Sequence, residues 1–284
     1  MNRLSMEKKV AVISALVEGW SVRSTSRLTG VAKGTILRLL AEVGAACAKY
    51  HDAVVRNVPA KRIQVDEAWS FCFAKAKNVK DKHFENGGYA GDVWTFVAIE
   101  AQTKLVLGWL PGRRDAACAT EFLQDIKGRL ANRVQLTTDG HKMYLQAAAD
   151  TFDWNEVDYA MLVKIFGNDP EGQKRYSPAV CTGCEKNVIT GNPDPAHVST
   201  SYIERQNLSM RMGMRRFTRP TNAFSKKLAN HEHAIALFYV HYNFVRVHQT
   251  LRVTPAMEAG ISQYVWSLFD IVNLAVDHSR SQAA

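Results

Sequence analysis

The spacing of apolar residues changes period between Pro59 and Lys61, and that change limits what the chain can fold into. Before it, Val10, Ile13, Leu16 and Val17 recur at the spacing of one helix face. Ser21 is suited to cap a second helix running to about Leu28. Gly30 supplies a turn, and Ala32–Val43 reads as a third helix with Ile36, Leu39, Leu40 and Val43 inward. Helix, helix, Gly-containing turn and helix is the order of a helix-turn-helix. Lys33, Thr35 and Arg38 then lie on the outer face of the third helix, as side chains that suit a phosphate backbone and a major groove. A plain three-helix bundle is the alternative. Arg56–Pro59 reads as a linker closing a first domain, residues 1–59.

Beyond the linker the pattern is that of strands and helices in alternation. Lys61–Phe73 is rich in β-formers such as Ile63, Val65 and Phe71, and reads as a strand. Val93–Ile99 and Leu105–Leu110 read as two more, joined by the turn Glu100–Lys104. Asp115–Leu130 is a helix, Arg133–Thr138 a strand ending at Asp139, Met143–Phe152 a helix and Tyr159–Phe166 a strand. This order predicts an α/β fold, a mixed sheet with helices on its faces. Gly167–Val198 carries Pro170, Pro178, Pro193 and Pro195 and reads as a long inserted loop, of the kind that is usually functional or mobile. Helices follow from Ser199 to about Gly213 and over about Ala223–His248. A second domain spans residues 60–255, and residues 256–284 read as a helical tail.

Composition narrows the function. With 284 residues, 46% hydrophobic and 22% charged, the chain reads as an ordinary globular protein of about two domains. Its longest apolar run, Ala234–Val240, is far short of a membrane span. Five cysteines, an odd number, fit a reducing compartment, and no charged-then-apolar leader opens the chain, so a cytoplasmic protein is expected. The net charge is +9 with a pI near 9.3, which is the footprint of a nucleic-acid binder. The excess is concentrated: Met1–Pro59 holds nine Lys/Arg against four Asp/Glu, and Arg205–Arg252 holds nine against one. Solvated helix faces are the plainer reading of such blocks.

Three acids stand at telling positions. Asp66 lies mid-strand in Val65-Asp66-Glu67, where a carboxylate is costly to bury without a partner. Asp139 follows a strand end in Thr138-Asp139-Gly140, the place where α/β sheets bind ligands. Glu204 opens a helix in Tyr202-Ile203-Glu204-Arg205-Gln206-Asn207. Together they can hold two divalent cations for an in-line phosphoryl transfer. Each has a simpler reading: a salt-bridged strand residue for Asp66, a turn for Asp139, and the capping box Ser201-x-x-Glu204. Alternation turns Glu67 to the opposite face, as a supporting residue. Arg205, Arg211, Arg215, Arg216 and Arg219 cluster beyond Glu204, with Asn207 one turn on, and a helix cap has no use for such a polyanion site. Trp69, Trp94 and Trp109 read as core. Tyr202 and Phe217 flank the arginines and read either as core or as stacking surfaces for bases. Cys181-x-x-Cys184 is half of a structural Zn²⁺ site, since such a site wants four ligands; a tight turn with two thiols is the alternative. His197 is near in sequence, and Cys47 with His51 can join only through the fold.

Asp66-Glu67-Ala68-Trp69, Thr138-Asp139-Gly140, Ile203-Glu204-Arg205-Gln206-Asn207 and Phe224-Ser225-Lys226 with His231 together resemble the insertion-sequence-one family of transposases, of the DDE class. The segment Tyr242-Asn243-Phe244-Val245-Arg246-Val247-His248, with Leu251 and Thr254-Pro255, is similar to the ends of many insertion-sequence transposases and retroviral-type integrases. The resemblance covers roughly Lys61 to Pro255. It implies a ribonuclease H-like, five-stranded mixed sheet and a metal triad of Asp66, Asp139 and Glu204 holding two Mg²⁺ or Mn²⁺. It further implies cleavage of double-stranded DNA at terminal inverted repeats to free a 3′-hydroxyl, joining to target DNA, a homodimer or higher assembly, and a bacterial or archaeal source. Lys226, Lys227, Arg246 and His248 would join the arginines as DNA contacts. A catalytically inactive DNA-binding regulator, or a ribonuclease H-like nuclease without strand transfer, is the alternative. The best-known members split these halves between two reading frames and carry a cysteine-rich finger; here one chain holds both, and Met1–Pro59 contains only Cys47.

Overall fold

In the computed structural model, which describes residues 4–80, 89–167, 181–218 and 222–283, the chain opens with three helices: α1 (Met6–Val17), α2 (Val22–Thr29) and α3 (Lys33–Val54). Ser5 and Ser21 cap the first two with side-chain oxygens, and Gly30 ends α2 in the left-handed conformation at φ +70°. The third helix runs past its expected end at Val43 because Gly44 is not a stop. A Cβ on Gly44 would lie 2.5 Å from the His233 Cβ, so the glycine lets α3 press against α7 (Leu228–Val240).

The sheet holds β1 (Arg62–Cys72), β2 (Gly91–Glu100), β3 (Val106–Gly112), β4 (Val134–Asp139), β5 (Val157–Phe166) and β6 (Cys181–Thr190). Their order is β3-β2-β1-β4-β5-β6, with β1, β4 and β5 parallel and the others antiparallel to their neighbours. The mixed α/β architecture is as expected and is consistent with a ribonuclease H-like fold. The strand number is not: among the described residues the sheet has six strands, because Cys181–Thr190 is not loop but an edge strand paired with β5. It is exposed along nearly all its length, so burial imposes no apolar alternation on its sequence. Pro170, Gly172 and Pro178 of the expected loop lie outside the described residues.

Alternation divides β1 between two cores. Val65, with Phe96, Ala98 and Leu136, packs with Phe122 and Leu123 of α4 (Ala116–Lys127) and Ala147 of α5 (Met143–Thr151). Ala68, with Val97, Ile99 and Val106, packs with Ile203 and Met210 of α6 (Ser201–Gly213) and Ile235 and Tyr239 of α7. Val12 and Ile13 of α1, Leu40 and Val43 of α3, and Ile271 and Val272 of α9 (Leu268–Ala283) belong to the same continuous apolar cluster as Val65; the short α8 (Pro255–Glu258) precedes α9. The expected long helix over 223–248 is shorter: α7 ends at Val240 and a π turn, His241–Val245, follows. This wider turn carries Asn243, which accepts from Val106 N at 3.0 Å and donates to Val106 O at 2.9 Å. His51 of α3 meets the same carbonyl at 3.1 Å. Among the described residues no helix is long and apolar enough to cross a membrane.

Candidate active site

The parallel pairing of β1 with β4 covers only Arg62–Val65, and β4 ends at Asp139. Asp66 is therefore the first residue of β1 beyond that pairing, beside the end of β4, and one ligand oxygen each from Asp66, Glu67 and Asp139 lies within 4.8 Å of the others. These three acids differ in what compensates them. Glu67 is buried, points to the α5 side, and is bound by the Arg114 guanidinium at one oxygen and the Tyr144 hydroxyl at the other, 2.8 Å away. Asp66 receives neutral donors, Asn207 Nδ2 at 2.9 Å and the Glu67 backbone N–H. Asp139 receives the His141 N–H at 3.0 Å, so its turn role is real as well. Among the described residues neither aspartate has a cationic partner. Burial, then the Glu67 charge, then the Asp139 charge push the Asp66 carboxyl up to about 7 from its ordinary 3.8, against hydrogen bonds that lower it.

Glu204 was legible equally as a helix cap. The structure gives the cap to another residue: Gln64 Oε1, from β1, accepts from the free N–H groups of Tyr202 at 2.8 Å and Ile203 at 3.1 Å. The Glu204 carboxylate instead takes the Lys164 ammonium at 2.5 Å and the Thr200 hydroxyl. Lys164 stands two residues beyond Leu162, the strand partner of Asp139, and so shares its face of β5. Glu204 and Asn207 lie one turn apart on α6, and Asn207 reaches Asp66, so this helix face looks onto the acids. Glu204 is outside the close group of three. Asn207 is buried, and its Oδ1 has no hydrogen-bond partner among the described residues.

Two uncompensated carboxylates and an orphaned amide oxygen are the donor types a hard divalent cation takes. Asp66 and Asp139 stand close enough to share such an ion, whereas Glu204 is held by Lys164 outside their group. Cys181 and Cys184 do not gather a site: no third His, Cys, Asp or Glu joins them among the described residues, and all five cysteines are unpaired. His197 meets Asp194 instead, and Cys47 and His51 are buried in the core of α3.

The basic residues fall into distinct places. Lys33 and Arg38 are exposed at the start of α3, with Thr35 half-buried between them. Arg205, Arg211, Arg215, Lys226 and Lys227 are exposed on α6 and beyond; Arg219 lies outside the described residues. Arg216 is turned inward, donating to the Ser225 hydroxyl and, at 3.2 Å, to Asn230 O. It belongs to a buried latch in which His231 joins Ser225 at 3.2 Å and Ser70 of β1 at 3.0 Å. Burial and Arg216 hold the His231 imidazole down to about 3, so it is neutral. Arg246 is exposed, and half-buried His248 meets the Thr250 hydroxyl at 3.0 Å. Phe217 is core, whereas Tyr202 is exposed beneath the Lys104 ammonium.

No protein-family model matches the sequence, and no curated protein matches it. Among solved structures, the chain is similar to a piggyBac transposase synaptic complex with hairpin DNA, at 11% identity over 98% of this chain and 72% of that one, with a TM-score of 0.43.

Gln64, Arg114, Tyr144 and Lys164 are absent from the sequence reading. Gln64 carried a signal, a polar residue between the strand formers Ile63 and Val65, and it is 3% exposed. The others act across the fold and leave no local pattern.

Proposed function

We propose that the protein is a metal-dependent DNA phosphoryl-transfer enzyme, a DDE transposase, with Asp66, Asp139 and Glu204 as its metal-binding carboxylates. The observation that carries this is the meeting of Asp66 and Asp139 at the end of β4 with no cation among the described residues to offset them. Two Mg²⁺ or Mn²⁺ ions held there would activate an attacking oxygen and stabilise a leaving one. The chain's own residues do the positioning. Arg114 and Tyr144 fix Glu67, which stiffens β1 at Asp66. Gln64 and Asn207 tether α6 to β1 at two points and so set where Glu204 stands. Lys164 holds Glu204 until a cation replaces it. In this reading the α2–α3 pair binds the terminal inverted repeats as a helix-turn-helix, Arg205, Arg211, Arg215, Arg219, Lys226, Lys227, Arg246 and His248 contribute phosphate contacts, and a 3′-hydroxyl freed at the element's end is joined to target DNA by a dimer or larger assembly.

A second reading, a DNA-binding regulator without activity, is favoured by one observation: Glu204 is ion-paired with Lys164, outside the close acid group. A nicking and joining assay separates the two. Duplexes ending in the element's own repeats are incubated with Mg²⁺ or Mn²⁺ and wild type, Asp66→Asn, Asp139→Asn or Glu204→Gln. The transposase reading expects cutting and joining by wild type alone, with DNA binding kept by all four. Binding without cutting in either metal would leave the regulator.

A further inference from the structure

A groove of about 1220 Å³ lies between the first helices and the end of α6. One wall is the end of α1 with α2, carrying Trp20 and Arg27; the other is the last turn of α6 and the turn Arg215–Phe217, carrying Arg211, Met212 and Arg215. The walls meet where Gly19, at φ +79°, would place a Cβ 2.9 Å from Gly213 O, and a Cβ on Gly213 would lie 2.8 Å from the Phe238 ring. Backbone, not side chain, thus sets their separation. Trp20 is 47% exposed on this wall, while its own N–H donates to Ala15 O at 3.0 Å and fixes its backbone. Arg27, Arg211 and Arg215 are exposed, and none is ion-paired among the described residues; Glu18 is the one acid of the lining.

We propose that this groove seats unpaired nucleotides, with a base stacked on Trp20 and the adjoining phosphates on Arg27, Arg211 and Arg215. Unpaired cations beside an open aromatic face are the pairing that single strands use, since every base offers a ring face to stack. An intact duplex buries those faces and offers Trp20 nothing. The inference rests on nucleic acid as the ligand, as in the proposed function, but not on the acid group or on cleavage.

The test is fluorescence anisotropy on the full chain in EDTA, with labelled short oligothymidylate, the matching oligouridylate and a blunt duplex of equal length. Trp20→Ala is expected to weaken the oligothymidylate about 5- to 150-fold, from the roughly 1–3 kcal/mol that stacking one base contributes. Duplex binding should stay within about twofold, and Trp20→Phe should keep most of the single-strand affinity. The Arg211→Ala/Arg215→Ala pair should weaken the single strand and flatten its salt slope by about 1.4, at ~0.7 per phosphate contact. Oligouridylate bound as tightly, with the same Trp20 dependence, supports the groove and makes RNA its source of unpaired bases. For Trp20→Ala, loss of single strand and duplex in equal measure, or of neither, overturns the proposal. So does a polyglutamate peptide that competes with the oligonucleotide as well as unlabelled oligothymidylate does. Working in EDTA keeps this outcome apart from the acid-group reading: an enzyme that never cuts can still stack a base, and a Trp20 that does nothing leaves Asp66 and Asp139 where they are.

Discussion

Replacing Asp66 by Asn should stabilise the protein in EDTA, although it removes a residue central to the proposed chemistry. The carboxyl titrates at about 7 in the fold, against an ordinary 3.8. A folded value above the unfolded one means that stability is fully present below about 3.8 and is lost as pH rises through about 7. At about 1.36 kcal/mol per unit, the full shift is worth ~4 kcal/mol. Glu67 and Asp139 share in it, and a buried amide keeps a desolvation cost of its own, so about 2 kcal/mol should be recovered at pH 8. The new amide can still present an oxygen to Asn207 Nδ2, so the tether of α6 survives. Urea unfolding between pH 4 and 8.5, followed by tryptophan fluorescence, reads this directly. The variant should gain over wild type as pH rises, by an amount corresponding to about 4–8 °C in Tm, and converge with it near pH 4. Added Mn²⁺ should then reverse the order: at about one hundred times Kd it stabilises a binding protein by ~2.7 kcal/mol, and the variant should gain far less. A variant less stable than wild type at pH 8 in EDTA would refute the reasoning, because Asp66 would then have a compensating partner.

Four further outcomes follow from buried contacts. Tyr144→Phe leaves one Glu67 oxygen without its donor and should cost about 1–3 kcal/mol in urea unfolding, with Asp66 metal affinity falling as β1 loosens. Gly44→Val drives a side chain into His233 and should cost about 3 kcal/mol or more, with the tryptophan and far-ultraviolet transitions shifting together. Gln64→Ala uncaps two N–H groups of α6 and should cost ~1–2 kcal/mol; if Glu204 is placed by this cap, DNA joining should fall further than stability does. Acid should weaken the fold through His51 and His231, both held down to about 3 by burial. Their depressed values mean that stability is present above about 6.5 and lost below it, at ~1.4 kcal/mol per pH unit for each; His231→Gln should remove one such step from the pH profile of unfolding.

Where burial is one-sided, the sequence could be read. Val65, Asp66 and Glu67 alternate between the two cores as their spacing implies, and the opposite placement of Glu67 follows from the pleat alone. Both ends of α2 were signalled, by Ser21 and Gly30, whereas the Ser5 cap of α1 was not. Where burial does not discriminate, it could not. Strand β6 is exposed on both faces, so its pairing with β5 rests on backbone bonds that any side chain permits. The helix expected over Ala32–Val43 runs on through Gly44, because a glycine can end a helix or admit a close neighbour, and only the position of His233 tells which applies. Glu204 had the spacing of a capping box, and the competing cap came from Gln64, distant in sequence. The Asn243 link to Val106 needed the π turn, which has no sequence period of its own.

The length of α3 has a mechanical consequence. The helix is pressed against α7 at Gly44, while Lys33 stands at its N-terminal end about 16 Å away, at ~1.5 Å per residue. It is a lever with its fulcrum on a residue that has no side chain. A tilt of about 10° at Gly44 would sweep Lys33 through ~3 Å, close to the ~3.4 Å of helix axis that each nucleotide of one DNA strand occupies. If α3 enters a groove as proposed, the register of Lys33 depends on how tightly the helix is packed around Gly44.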